Sequence, residues 1–444
     1  MENHNVYEKP VTLGNILKFA VPTIVMTVFM SFYTMVDGLF VSNLIGTNAL
    51  SAINLTAPVI QLVTAISTMF ATGGSAVIMK KMGEHKTGEA REDFTFLILV
   101  NVIVGVLMCG VGYLAMEPIF AQMNLSVDVS GYCVEYLSRY LLFTVPILLM
   151  NNFTLYMIAS EKATLSLVCS VAGGVLNMVL DYVFLAVFGM GISGAAIATG
   201  MGYSVTAFVG LFVFSKRDSL LHFKKPVFRF RVLANAATNG CSEMATALVT
   251  GIITMMFNWT MLTYVGEDGI AAVTIIMYVL MFASSLYTGY SYGVAPMVSF
   301  YYGEKNHEKL KKLTVCSLKI ILYISFVMAA FSFFLTEPLV SVFARPGNPV
   351  YGLAVTGNQI CTLALFFIGF NIFASGMFTA LSNGVVSAVL AFCRSFVFML
   401  ATMLVLPALL GVNGIWLATP VAELMALALS AAMFVKYRKR YHYS

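Results

Sequence analysis

Twelve apolar stretches, each long enough to cross a bilayer, follow one another along this chain with short polar segments between them. They cover about 15–40, 49–79, 94–116, 132–158, 163–188, 191–214, 234–260, 270–299, 314–335, 353–380, 384–409 and 412–435. A membrane helix needs roughly 20 consecutive apolar residues, whereas the strands of a membrane barrel show about ten-residue alternation. In lipid such a segment must satisfy its own backbone hydrogen bonds, and a helix does so. Only 10% of the 444 residues are charged, against 59% hydrophobic. Ordinary soluble domains carry about 25% charged residues, so a water-facing surface could not be covered. These features exclude a soluble enzyme, a coiled coil and a disordered chain. They predict an all-α polytopic membrane protein of about twelve transmembrane helices.

Loop charge sets the orientation. Twenty-one of the 25 Lys and Arg, counting Lys18 just inside the first stretch, lie before that stretch, after each even-numbered stretch, or in the tail. The largest group is Lys216, Arg217, Lys224, Lys225, Arg229 and Arg231, and the opposite loops hold only Arg345. By the positive-inside rule both termini are cytoplasmic. The net charge of +5 is then loop charge and not a nucleic-acid surface. The seven cysteines fall in or beside apolar stretches without a CxxC pair, which predicts buried thiols and neither disulfides nor a zinc site. The five histidines all lie in loops or tails, leaving no haem ligand, zinc ligand or intramembrane base. No GxxxxGK[ST] is present, so energy must come from an ion gradient, a partner chain or the cargo itself. The first stretch is too long for a cleavable signal peptide.

The two halves align with a constant offset of 220 residues. Gly83-Glu84 meets Gly303-Glu304, Glu117-Pro118 meets Glu337-Pro338, Asn151 meets Asn371, and Gly191 and Gly194 meet Gly411 and Gly414. Ungapped matches of Gly-Glu and Glu-Pro at loop positions are hard to obtain by chance. They predict two six-helix bundles, 1–214 and 232–444, joined by a basic cytoplasmic linker, 215–231. Six is even, so these are parallel repeats, and two such bundles can rock about a shared cleft to give alternating access.

An ionisable group inside the bilayer costs about 2.5–3.5 kcal/mol on insertion scales, so such residues mark function first. The candidates are Asp37, Asp181, Glu243, Arg394 and Glu423. Asp37 follows Pro22 in the first stretch, and a proline opens the helix ladder into a hinge. Asn177 and Asp181 are spaced i,i+4 and share one helix face. Two carboxylates and an amide in one bundle would make an oxygen-rich pocket able to hold Na⁺ or a proton. Glu243 either faces the cleft or bonds to a neighbouring helix. Glu423 and Arg394 are expected to pair across two helices, and Glu135 with Arg139 along one. Tyr33, Tyr278 and Tyr287 read as packing groups. An intramembrane enzyme would need a catalytic constellation, and none accompanies the acids.

With these residues in view the chain resembles the multidrug and toxic compound extrusion (MATE) family over roughly 10–436. The resemblance rests on the two halves, on Pro22 with Asp37, on Val41-Ser42-Asn43-Leu44-Ile45-Gly46 with Ala49-Leu50-Ser51-Ala52, on Asn177 with Asp181, and on Gly191-Ile192-Ser193-Gly194-Ala195-Ala196 followed by Thr199. It implies a cation-coupled (H⁺ or Na⁺) antiporter that exports lipophilic, often cationic, compounds, without a resident cofactor. The implied cation site carries onto Asp37, Asn177, Asp181 and Thr199, and the implied cargo contacts onto Tyr33 and Asn151. Glu243 is similar to an acid of a second site in some members, whose partner in the tenth stretch has no counterpart here. The resemblance further implies small lipophilic or cationic substrates; a chain of two bundles needs no partner to form a cleft, so a monomer is expected, in contact with lipid in a bacterial plasma membrane. A rival within the wider superfamily is a lipid-linked sugar flippase. Its phosphates would call for cationic residues in the cleft, and Arg394 alone stands deep enough.

Overall fold

In the computed structural model, which describes residues 6–44, 47–122 and 127–443, every long element is a helix and no strand occurs among the described residues. The first half comprises α1 (Leu13–Leu44), α2 (Thr47–Gly83), α3 (Thr87–Gln122), α4 (Val127–Leu141), α5 (Thr144–Ala159), α6 (Ala163–Asp181) and α7 (Gly191–Ser215). The second comprises α8 (Phe230–Tyr264), α9 (Glu267–Gly303), α10 (His307–Phe334), the short α11 (Thr336–Ser341), α12 (Pro349–Cys361), α13 (Leu365–Ala380), α14 (Gly384–Phe392), α15 (Met399–Leu410) and α16 (Val412–Tyr441). Eleven described helices are long and apolar enough to cross a membrane. The pair Val129–Leu141 and Thr144–Ala159, bent by 52°, makes a twelfth span if taken together. The expected all-α architecture is therefore present, six spans to a half.

Polar residues punctuate the spans. Asn306 opens α10 and Asn383 opens α14, each accepting a hydrogen bond from a backbone N–H three residues on. Such caps satisfy donors that a helix start leaves unpaired. The repeat match of Gly191 with Gly411 also has a local cause. Both open a helix with φ near +60°, at 60° and 58°, where a side chain is disfavoured.

By contacts the chain forms two compact units. One comprises Met1–Ile24 with Cys241–Ser444, and the other Val25–Gly240. This division runs through α1 and α8, whereas the repeat placed its boundaries at 214 and 232. In the Val25–Gly240 unit the start of α8 packs against α2 with backbones nearly touching. A Cβ on Gly73 would lie 1.9 Å from the Ala236 carbonyl oxygen, and one on Gly240 would lie 1.9 Å from that of Met69. Small residues allow this approach, a common device between membrane helices.

The basic segment before α8 is bound to the same unit. Arg229 donates to Asp93 at 2.8 Å and to Glu92 at 2.9 Å, while Lys224 reaches Glu92 at 2.8 Å. The Phe223 ring stacks on Phe94 with centroids 5.4 Å apart. Asp93 is fully buried, and Lys81 is its second cationic partner. The hydrogen bond from Arg229 to Asp93 raises the guanidinium's pKa above its ordinary value. The segment 215–231 is thus a docked strap.

In the other unit, Tyr7 stacks on Phe300 at 4.7 Å, and Lys309 donates to the Tyr7 carbonyl at 3.1 Å. Its interior is built around Trp416, Phe257 and Ile276, all buried.

Candidate cation site

The site in the Val25–Gly240 unit is built by the crossing of α6 and α7. A Cβ on Gly173 would meet the Gly202 carbonyl oxygen at 2.5 Å, and one on Gly202 would meet that of Gly173 at 2.7 Å. This close approach carries the neighbouring polar positions with it. Asn177 lies one turn after Gly173 on α6, and Thr199 lies three residues before Gly202 on α7. The Asn177 amide donates to Thr199 Oγ1 at 3.3 Å. Thr199 in turn donates to the Ala195 carbonyl at 3.0 Å, so its remaining lone pairs face Asn177. Asn177 and Asp181 are fully buried and Thr199 is 7% exposed. Asn177 Oδ1 accepts no hydrogen bond from the described residues.

Asp181 closes α6, and the chain continues as a wider π-helical turn over Tyr182–Val187. Such widened turns are frequent at functional sites. The structure therefore brings two of the four expected cation-site residues, Asn177 and Thr199, into direct contact, and buries a third, Asp181, one helical turn beyond Asn177. The fourth, Asp37, belongs to α1, but its side chain lies outside the described residues. A buried carboxylate, amide and hydroxyl supply hard oxygen donors suited to Na⁺, and the carboxylate alone can take a proton.

Tyr33, also on α1, is buried. It lines a cavity of about 10 Å³ with Met30, Met150, Gly174 and Tyr203, roughly the space of one water. Asn151 is not among the residues lining it. Its amide donates to Ser67 at 2.9 Å, a link between α5 and α2. Pro22 lies inside α1 two residues before Ile24, where the chain leaves one unit for the other. Glu243 belongs to the other unit. It is partly buried and within electrostatic reach of Arg394.

In that second unit Arg394 and Glu423 pair as expected. Arg394 Nε lies 2.8 and 3.0 Å from the two carboxylate oxygens. Asn371 completes the group, donating to Glu423 Oε2 at 2.8 Å and accepting from Ser430 at 3.0 Å. The match of Asn371 with Asn151 was the one signal that pointed to it. The expected pair of Glu135 with Arg139 is absent among the described ion pairs. Glu135 instead accepts from Ser193, at the start of α7, at 2.6 Å.

The MatE family model matches residues 22–183 and 243–405, one stretch in each half. The chain is 21% identical over 436 residues to the multidrug export protein MepA of Staphylococcus saprophyticus, covering 98% of this chain and 95% of that one. It is 22% identical to MepA of Staphylococcus haemolyticus with the same coverage. Its fold is similar to that of a multidrug resistance MATE family transporter of the MOP superfamily in an outward-facing conformation. That likeness has a TM-score of 0.91 and 22% identity, over 99% of this chain and 98% of that one.

Proposed function

The chain belongs to the MatE family, and from that premise we propose that it exports small lipophilic, often cationic, compounds across a bacterial plasma membrane by cation-coupled antiport. The names of its MepA relatives support multidrug export. The observation that carries the coupling is the burial of Asp181 beside Asn177 and Thr199 in an apolar bundle. A carboxylate held away from water is costly unless a cation, a proton or hydrogen-bond donors compensate it. We take its state to respond to ion supply.

In this reading the cargo enters while the protein is open to the cytoplasm. H⁺ or Na⁺ then arrives from outside at Asp37 and Asp181, with Asn177 and Thr199 as neutral oxygen donors. Neutralising the acids alters the bend of α1 at Pro22, and the cargo leaves outward. Each charge moving inward down ~100 mV supplies about 2.3 kcal/mol. Tyr33 and Asn151 are the cargo contacts in this reading, and both termini face the cytoplasm. One chain supplies both six-helix halves, so a monomer suffices. A phosphate-bearing cargo is not favoured, because the deep cation Arg394 is already engaged by Glu423.

The test is ethidium accumulation in cells carrying the protein or its Asp181→Asn variant, with and without an uncoupler. The reading expects uncoupler-sensitive efflux from the parent protein. It expects at least a tenfold loss in the variant at equal membrane abundance. Efflux from Asp181→Asn at the parental rate contradicts it.

A further inference from the structure

The residues of the second polar cluster stand at repeat-matched positions of the first unit. With the offset of 220, Arg394 corresponds to Gly174, Glu423 to Tyr203, Asn371 to Asn151 and Ser430 to Gly210. Gly174 and Tyr203 line the small cavity beside Tyr33. A Cβ at Gly174 would lie 2.8 Å from the Phe29 ring, so a side chain there would require that ring to move. So where one half keeps a small cavity, the other places a guanidinium and a carboxylate in contact. The acids are exchanged in the same way. Asp181 corresponds to Ala401, and Asn177 to Val397.

In the second cluster the Glu423 carboxyl oxygens are met by hydrogen-bond donors. Glu423 receives Arg394 Nε on both oxygens and the Asn371 amide on one. These groups only donate, so a protonated Glu423 would place its O–H against N–H donors. Ser430 holds the Asn371 carbonyl and thereby directs the amide at Glu423. Glu423 and Asn371 are buried, and Arg394 has a side-chain exposure of 19%. Arg394 also lies in a π-helical turn, Cys393–Phe398, which follows α14 as the turn over 182–187 follows α6.

We propose that Arg394 is a tethered counter-ion: it permanently occupies, at Glu423, the place that an exchangeable cation would take. Glu423 then stays ionised through the cycle and takes up neither H⁺ nor Na⁺. The inference rests on the reading of Asp181 as the exchanging acid, and it confines ion exchange at these repeat-matched clusters to the Val25–Gly240 unit. Arg394 is a specificity-determining residue in this sense, setting how many ions accompany each cargo. A guanidinium suits the task, because it cannot be deprotonated in the physiological range.

Two readouts test this in the full-length protein. The first is infrared difference spectroscopy across about pH 5 to 9, where an uncompensated buried carboxyl would titrate. The other titratable groups around Arg394 are Glu243 and, through it, Tyr292. Recording every spectrum in a Glu243→Gln background, and subtracting the Arg394→Gln/Glu423→Gln double variant in that background, leaves the Glu423 carboxyl band alone. The parent protein is expected to show no protonated-carboxyl band from Glu423, and Arg394→Gln to gain one. The second is the ion-to-cargo ratio in proteoliposomes, from the potential at which tetraphenylphosphonium exchange reverses. Arg394→Gln is expected to raise it by one ion per cargo, while Arg394→Lys and the double variant keep the parental ratio.

A titrating Glu423 band in the parent protein overturns the proposal, as does a parental ratio in folded Arg394→Gln. If Arg394→Gln does not fold, the parent-minus-double spectrum decides alone. The antiport reading fails separately, when Asp181→Asn exports at the parental rate, and that result leaves the Glu423 spectrum unaffected.

Discussion

At the scale of single residues, the informative ones are polar groups that lipid-facing physics would remove. Thr199 is the simplest case. Its hydroxyl accepts from Asn177 and donates to Ala195, so Thr199→Val leaves a buried amide without its partner. The expected cost is about 1 kcal/mol, since polar contacts within membrane proteins average ~0.6 and reach ~1.7 kcal/mol. Unfolding in a mild detergent is expected to show this loss for Thr199→Val and not for Thr199→Ser. The valine variant is also expected to need a higher concentration of the coupling ion for half-maximal export, with the serine variant near the parent. An unchanged midpoint and unchanged ion dependence would count against Thr199. Asn177 and Asp181 were legible in the sequence because an i,i+4 spacing on one apolar helix leaves a single face for both. Arg394 and Glu423 were legible because a lone charge in a span needs a partner. Thr199 was reached only through family resemblance, since threonine is routine in membrane helices. The failed pair of Glu135 with Arg139 shows the limit of spacing arguments, because a competing hydroxyl from α7 is invisible to a one-helix view.

At the scale of helices, glycines decide where backbones can meet. Gly240 on α8 faces the Met69 carbonyl, while a Cβ on Gly110 of α3 would meet nothing within 4 Å. Gly240→Ala is therefore expected to destabilise by about 1–3 kcal/mol through overpacking. Gly110→Ala is expected to stay within about 0.5 kcal/mol, as for substitutions that touch nothing. Thermal unfolding of the two variants side by side checks the contrast, and equal midpoints would contradict the packing account. Hydropathy located the spans well, since length and composition suffice for that. It could not reveal the 52° bend between α4 and α5 or the two π-helical turns. A bend or a widened turn keeps the same apolar composition, so no change of hydrophobicity marks it.

At the scale of the whole chain, the ungapped repeat predicted two halves of six spans, and twelve spans are found when the bent pair is taken together. The repeat marks where duplicated sequence begins, whereas contacts mark which residues pack together, and the two criteria part at α1 and α8. Charge accounts for one end of that difference. The strap at 215–231 was legible as basic, but its acidic partners Glu92 and Asp93 lie more than 120 residues earlier. The asymmetry between the halves matters most for function: one buries an acid beside neutral oxygen donors, and the other buries an acid already paired with arginine. The central claim is that an ion gradient spent at the Asp181 site drives cargo outward. Its most direct test is ethidium flux in proteoliposomes under an imposed H⁺ or Na⁺ gradient, measured for the parent protein and Asp181→Asn. The account predicts transport against the dye gradient with one of the two ions, lost when the gradient is collapsed and absent in the variant. Dye movement at the same rate after both gradients are collapsed would contradict it.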